Sequence, residues 1–224
     1  MYLTHAYLKR SVLSEDGLAD KLYDLEGEHK IIWQLFADDP NRERDFIYCR
    51  LCEASIPTFV IVSHREPIDE NNRWVLEVSS YDPSVKEGEK YHFSLKANPT
   101  VKRNGNRHDI VIDAIKYMEE ERGMDKKEIP PRHVVAQKEG QLWLLKRQQQ
   151  YGFKLKGNRL KIDGYRQHIF RKTRNGRRVK LSSLDFTGLM EVADVDKFKD
   201  ALFNGIGPAK AYGFGCLLAK KLEA

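Results

Sequence analysis

His29 is the side chain whose type and position best suit proton-transfer chemistry in this sequence. It continues a helically spaced row of apolar residues, which comprises Leu18, Leu22, Leu25, Ile32 and Phe36. Because imidazole titrates near neutrality, we interpret His29 as a candidate general acid or base. The alternative is a boundary histidine that only completes this helix face, and the spacing alone leaves both possibilities open.

The basic segment, residues 156–180, has the composition of an anion-binding surface. It holds ten basic residues and one acid, Asp163, in a chain whose formal net charge is +6. The basic residues are Lys156, Arg159, Lys161, Arg166, Arg171, Lys172, Arg174, Arg177, Arg178 and Lys180. A local excess of positive charge is typical of a surface that binds a polyanion, so we predict nucleic-acid binding here. The alternative is a solvated hairpin without a ligand.

The glycine-rich segment, residues 205–215, contains four of the fifteen glycines. It is not a nucleotide-binding loop, because Lys210 does not follow a G-x-x-x-x-G pattern and the segment closes a helix instead of opening one. Glycine lets another backbone approach closely, and the partner is either a neighbouring strand or an RNA phosphate. We take Gly207, Lys210 and Gly213 as candidate RNA-binding residues.

Metal, redox and membrane roles have weaker support. Cys49 and Cys52 form a C-x-x-C pair without a second pair, so we expect reduced, inert thiols in a cytoplasmic protein and keep a zinc or redox site as the alternative. The seven histidines show no H-x-x-x-H pairing, so we predict neither a metal nor a cofactor. The sequence has no apolar run of membrane-spanning length and no signal-peptide pattern at its start.

The helices and strands that must position these residues form two related units, which predicts an α+β protein. Residues 1–84 indicate β-α-β-β-β, with a helix that starts after Ser14 and room for a second helix only at 65–72. Residues 88–224 indicate β-α-β-β-α-β, with a long polar loop at 101–133 that contains one helix. We therefore expect an N-terminal domain at 1–84 and a C-terminal domain at 88–224.

The glycine-rich segment also carries a resemblance to a known family. GIGPAKAYGFGCLL at 205–218 resembles the C-terminal signature of CRISPR repeat-processing endoribonucleases of the CasE type. Further similar stretches are MYL at 1–3, HKIIWQLF at 29–36, FSLKANP at 93–99 and LDFTGLMEV at 184–192. They extend the resemblance over nearly the whole chain. It implies two tandem ferredoxin-like, RRM-like βαββαβ domains, the first with a short or missing second helix.

The resemblance also implies an activity. Such enzymes bind the stem-loop of a CRISPR repeat transcript and cut at the stem base without a metal. The ribose 2′-OH attacks the adjacent phosphate and leaves a 2′,3′-cyclic phosphate on the mature crRNA. The enzyme then stays bound as a subunit of the Cascade complex. The alternative within the same fold is an RNA-binding subunit without catalysis.

The resemblance makes His29 the first candidate for catalysis. Relatives carry the catalytic histidine four residues before a tryptophan and six before Leu-Phe, and His29, Trp33 and the pair at 35–36 match this spacing. Relatives often have a tyrosine three residues before the histidine, where this chain has Glu26. Tyr23 lies six residues before His29 and is the remaining tyrosine candidate. The sequence leaves open whether His29 acts as base or acid.

Overall fold

The computed structural model describes residues 1–14, 22, 24–37, 42–51, 56–156, 160–172 and 176–223, and two antiparallel sheets organise them. The first sheet and its helix comprise β1 (Tyr2–Leu8), α1 (Leu25–Trp33), β2 (Phe46–Leu51), β3 (Thr58–Ser63) and β4 (Trp74–Ser80). The strand order is β2-β3-β1-β4. Residues 64–73 form no helix, and Asp69 instead accepts hydrogen bonds from the N–H groups of Arg73 and Trp74. The expected absence of a second helix in this half is therefore confirmed.

The start of α1 differs from the prediction. Asp24 has extended backbone angles (φ −111°, ψ 135°), and its carboxylate accepts a hydrogen bond from the N–H of Glu26, so it is the N-cap of α1. An uninterrupted helix from Ser14 is therefore wrong, because a capping aspartate ends helical geometry on its N-terminal side. Gly27 lies inside α1 and does not break it. Tyr23 lies outside the described residues.

The second sheet repeats this strand order. Its elements are β5 (Lys90–Ala97), β6 (Thr100–Arg103), β7 (Asn106–Asp109), α2 (Ile110–Lys116), α3 (Arg132–Leu145), β8 (Phe153–Leu155), β9 (Lys161–Arg171), β10 (Arg178–Val192), α4 (Val195–Asn204) and β11 (Leu217–Lys221). The order is β11-β5-β10-β8, and β9 pairs with the same edge of β10 as β8 does. In the first sheet β1 lies between β3 and β4, and in the second β5 lies between β10 and β11, which is the place of the first strand in ferredoxin-like folds. The domain boundaries at 84 and 88 stay predictions.

The polar stretch predicted as a loop at 101–133 begins with a hairpin. Strands β6 and β7 pair over four residues each, and the turn residues Asn104 and Gly105 both have positive φ (48° and 80°). Asn-Gly favours this type I′ geometry, so the dipeptide was a usable signal that the polar composition concealed. Asp109 then caps α2, which agrees with the predicted helix near that residue.

The two halves contact each other through the face of the first sheet that α1 does not cover. Ile47 and Cys49 of β2 pack there with Cys216 of the second half, and Tyr81 and Phe203 form a T-shaped contact at 5.6 Å. The thiol contact with Cys49 and burial together raise the pKa of Cys216, which keeps the thiol protonated and unreactive. Cys52 lies outside the described residues.

Two further findings concern the described part of the chain. No helix there is both long and apolar enough to cross a membrane. No cluster of three or more His, Cys, Asp or Glu side chains there could hold a metal ion.

Candidate functional site

His29 lies between two aromatic rings from distant parts of the chain. Its ring centroid is 5.6 Å from that of Trp33, one turn further along α1, and 5.6 Å from that of Tyr212 in the glycine-rich segment. The imidazole is half-buried, and its Nδ1 is buried without a hydrogen-bond partner among the described residues. Burial of this nitrogen without a partner disfavours the charged ring, in which both nitrogens carry a proton.

The surroundings of His29 favour its neutral form. Burial is the largest cause that lowers the pKa of His29 below its ordinary 6.5, and the charges of Arg44 and Lys172 lower it further. A backbone hydrogen bond with Ala211 and the charge of Glu26 act in the opposite direction and only partly offset these effects. His29 is therefore neutral at pH 7 and able to accept a proton.

Tyr212 connects His29 to the second half of the molecule. Its ring also contacts Phe170 of β9, with centroids 5.0 Å apart. Its hydroxyl forms no hydrogen bond among the described residues, so it can donate to a ligand. Tyr212 was not predicted, because 183 residues separate it from His29 and only its place in the glycine-rich segment pointed to it.

Three cations surround this pair of rings. Lys172 and Arg44 are close enough to His29 to lower its pKa, and Lys210 interacts electrostatically with Arg44. Burial lowers the pKa of both Arg44 and Lys210, and the charge of Arg44 lowers that of Lys210 further. Partly desolvated cations attract a phosphate more strongly than exposed ones do. Arg44 was not predicted, because it lies in a mixed-charge stretch with no distinguishing pattern.

The glycines of this segment pack against protein. Gly213 has a φ of +76°, and a Cβ there would stand 3.0 Å from the ring of Tyr48. Gly207 has a φ of +85°, and a Cβ there would stand 3.1 Å from the ring of Trp143. Of the two partners left open by the sequence, a protein neighbour explains the missing side chains. An RNA contact by Gly207, Gly213 or Lys210 stays a prediction.

The hairpin of β9 and β10 extends past the second sheet. Residues 178–183 of β10 pair only with β9, because β5 joins β10 from Leu184 onward. Arg171 lies directly opposite Arg178, and both are exposed. Like charges in direct cross-strand pairs destabilise a ribbon, so this arrangement favours a surface that meets an anion. Ile169, opposite Lys180, is 56% exposed on the same face.

The structure does not bring all ten predicted basic residues together. Lys161 pairs with Asp163 at 2.8 Å and lies ten residues along β9 from Arg171, about 33 Å in a strand. Lys156 pairs with Glu191 at 3.0 Å. The exposed residues on the hairpin include Arg177, Arg178 and Lys180. Lys172, directly after β9, is half-buried, and Arg166, opposite Ser183, is exposed. Arg159 and Arg174 lie outside the described residues.

A cleft of about 580 Å³ lies beside Tyr212, between residues of both halves. Among its lining side chains are Arg166 and His168 of β9 and the ion pair of the buried Glu28 with the half-buried Arg50. Nε2 of His168 is 2.9 Å from Oγ of Ser183, and burial is the main cause that lowers its pKa. The cleft therefore offers polar and cationic groups next to the His29 site.

Comparisons of the sequence with known proteins identify relatives along nearly its whole length. The profile of a family described as CRISPR associated protein matches residues 1–220. The chain is 23% identical over 219 residues to the CRISPR system Cascade subunit CasE of Escherichia coli (strain K12), covering 94% of this chain and 97% of that protein. It is 24% identical over 204 residues to the CRISPR-associated endoribonuclease Cse3 of Thermus thermophilus, covering 86% and 80%.

Solved structures share the fold. A structure of the CRISPR endoribonuclease Cse3 bound to 19 nt RNA aligns with a TM-score of 0.70 at 19% identity, covering 98% of both chains. Thermus thermophilus Cse3 bound to an RNA representing a pre-cleavage complex aligns equally well, at 20% identity. Cas6e from Escherichia coli str. K-12 aligns with a TM-score of 0.58 at 20% identity, covering 99% of this chain and 100% of that one.

Proposed function

Because this chain belongs to the CRISPR-associated protein family, we propose that it is an endoribonuclease that binds the stem-loop of CRISPR repeat transcripts and cuts at the stem base. One observation carries the proposal: the half-buried His29, whose surroundings keep it neutral, lies beside Tyr212 and near cations of both halves, and Tyr212 also contacts the basic hairpin. The relative named an endoribonuclease supports the same activity.

The reaction uses the ribose 2′-oxygen as nucleophile. Neutral His29 takes the proton of the 2′-OH, the 2′-oxygen bonds to phosphorus, and the bond from phosphorus to the 5′-oxygen breaks. The products are a 2′,3′-cyclic phosphate and a 5′-oxygen that takes up a proton to become a 5′-OH. Tyr212 is the candidate donor of that proton. General base or acid catalysis contributes about 10²- to 10⁴-fold each.

Positioning and charge supply the other contributions. Arg44, Lys172 and Lys210 stabilise the extra negative charge that develops on the phosphorane. Binding of the stem on the hairpin of β9 and β10 holds the scissile bond against His29, so that the 2′-oxygen can attack in line. The nucleophile is internal to the substrate, so the reaction needs no metal ion.

The product stays in place after the cut. The stem contacts lie on exposed residues of the hairpin and not on the groups that act on the scissile bond, so cleavage leaves them unchanged. We therefore extend the proposal to a role as a Cascade subunit that retains its crRNA, in line with the relative that carries this description.

The test is cleavage of a repeat stem-loop RNA by the purified protein in EDTA, followed by end-group analysis. We expect one cut with a 2′,3′-cyclic phosphate, and no cut when the nucleotide before the scissile bond is 2′-deoxy. His29→Ala is expected to lower the single-turnover rate about 10²- to 10⁴-fold while RNA affinity persists.

Three results would contradict the proposal. A strict Mg²⁺ requirement would remove the 2′-OH route, and full cleavage by His29→Ala would remove His29 from the mechanism. Tight binding without any cleavage by the wild-type protein would instead identify the non-catalytic RNA-binding alternative.

A further inference from the structure

A second concave surface lies between the hairpin of β6 and β7 and the C-terminal end of α3, and Gly207 of the glycine-rich segment is part of its wall. We call it the α3 groove. It encloses about 640 Å³, and its walls include Lys102 and Arg107 of the hairpin, Lys146 and Gln150 at the end of α3 and beyond it, and the segment 207–208.

The charge of the α3 groove is strongly positive. Its lining includes five basic residues, Lys102, Arg103, Arg107, Lys146 and Arg147, against two acids, Asp113 and Glu139. Arg103 holds Asp113 in a two-pronged ion pair with distances of 2.6 and 2.8 Å. Lys102, Arg107 and Lys146 form no ion pair within the described part of the chain. These three cations are therefore available to an anionic ligand.

The hairpin of β6 and β7 repeats a feature of the hairpin of β9 and β10. Lys102 lies directly opposite Arg107, and both are exposed. Such a cross-strand pair of like charges costs stability in the free protein. A phosphate between the two side chains would remove that cost, so the pairing favours a polyanion over a neutral ligand.

The floor of the groove suits nucleobases. The Arg147 guanidinium stacks over the ring of Trp143, with its central carbon 4.0 Å from the ring centroid, and the Trp143 indole N–H donates to the carbonyl of Thr100. Guanidinium planes are stacking surfaces for unpaired bases, and the Gln150 amide can both donate and accept hydrogen bonds. Concave sites that combine cations with stacking planes bind single strands rather than duplexes.

The α3 groove is also close to the cleavage site. Pro208 lines the groove, and Tyr212, beside His29, follows it by four residues, a span of at most about 14 Å along the chain. We propose that the α3 groove binds the single-stranded RNA that flanks the repeat stem. The inference rests on the proposed function, because it assigns a site to the part of the substrate that the hairpin of β9 and β10 does not hold.

The test compares affinities for four RNAs: the stem-loop alone, the stem-loop with ten uridines added at its 5′ or 3′ side, and the ten-uridine strand alone. For the wild-type protein we expect one of the two extensions to raise affinity about tenfold. In Lys102→Glu/Arg107→Glu this gain disappears, while stem-loop affinity and cleavage change less than about twofold. The salt dependence for the extended RNA should fall by about 1.4 in slope, for two lost phosphate contacts.

The matched control is Lys126→Glu/Lys127→Glu, which makes the same charge change at exposed residues outside the groove. An equal loss in this control, an equal loss on the stem-loop alone, or no gain from either extension would overturn the inference. If Lys102→Glu/Arg107→Glu leaves RNA affinity unchanged but prevents assembly of the Cascade complex, the groove is a protein contact, and this result would also overturn the inference.

Failure of the proposed function has a different signature. A wild-type protein that neither binds nor cuts the stem-loop would remove the proposed function. The ten-uridine strand would still test the groove, through a comparison of the wild-type protein with Lys102→Glu/Arg107→Glu.

Discussion

At the scale of single residues, His29 owes its proposed role to its surroundings more than to its type. Burial between Trp33 and Tyr212 removes water from the imidazole, and the neighbouring cations disfavour a positive charge on it. The ring is therefore held neutral at the pH where it must accept a proton. A histidine on an exposed helix face would lack the burial that lowers its pKa.

The lowered pKa of His29 predicts the pH profile of cleavage. As a general base, His29 is inactive when protonated, so kcat/KM should rise with pH through the pKa of the free protein and level off above it. Because burial lowers this pKa, the midpoint of the acid limb should lie below 6.5. A decrease of kcat/KM with rising pH through the same range would assign His29 the acid role. NMR titration of the His29 ring in the free protein checks the pKa independently.

Tyr212 offers a second test at this scale. Tyr212→Phe keeps the ring contacts with His29 and Phe170 and removes only the hydroxyl. If that hydroxyl donates the proton to the 5′-oxygen, the single-turnover rate should fall about 10²- to 10⁴-fold, as expected for the loss of a general acid. RNA affinity and the thermal midpoint should stay unchanged. An unaltered rate would limit Tyr212 to packing against His29.

At the scale of elements, the glycine-rich segment and the hairpin of β9 and β10 act together. Positive φ and close packing at Gly213 fix the segment against Tyr48, so that the neighbouring Tyr212 reaches from the second half of the chain to α1. Phe170 on the inner face of the hairpin contacts the same tyrosine. The element that is proposed to hold the stem is thus in direct contact with the site that is proposed to cut it.

Charge reversal on the hairpin tests which part of the basic segment binds RNA. Arg171→Glu/Arg178→Glu should weaken stem-loop binding at least tenfold and reduce the salt slope by about one per lost phosphate contact. The matched variant Lys156→Glu/Lys161→Glu makes the same charge change at lysines that pair with acids. We expect it to weaken binding much less. Equal losses would mean that all of 156–180 forms one binding surface.

At the scale of the whole molecule, the candidate site belongs to neither half alone. The first half contributes His29 and Arg44, and the second contributes Tyr212, Lys172 and Lys210. The contact between the halves through Cys49 and Cys216 keeps these groups in place. The exposed cations that are proposed to hold the stem, Arg171 and Arg178, are different groups from those proposed to cut the RNA, so cleavage should leave the stem contacts in place.

This separation predicts retention of the product. With substrate in excess, cleavage should show a burst equal to about one product per protein molecule, followed by very slow turnover. The cleaved stem-loop should bind within about threefold of an uncleavable 2′-deoxy substrate. Linear multiple turnover at the single-turnover rate would contradict retention. Burst amplitudes at several protein concentrations provide the measurement.

Local sequence patterns alone predicted most of the secondary structure and one candidate catalytic residue. Hydrophobic periodicity and turn residues predicted two repeats of an α+β unit, with room for a second helix in the first half only at 65–72, because these depend on interactions between residues close in sequence. The spacing around His29 identified a candidate catalyst for the same reason. Two further local features were not predicted. The apolar row from Leu18 to Phe36 concealed the helix break at Asp24, and the polar composition of 101–133 concealed the β6–β7 hairpin.

Only the tertiary structure decided which groups surround His29 and which basic residues share a face. Tyr212 and Arg44 reach the imidazole through the docking of the two halves, and no spacing in the sequence encodes that contact. The basic segment looked uniform as a sequence, yet ion pairs and strand length separate Lys156 and Lys161 from the hairpin pair. Such contacts, and the pKa shifts they cause, arise from long-range packing and burial, which a linear pattern does not specify.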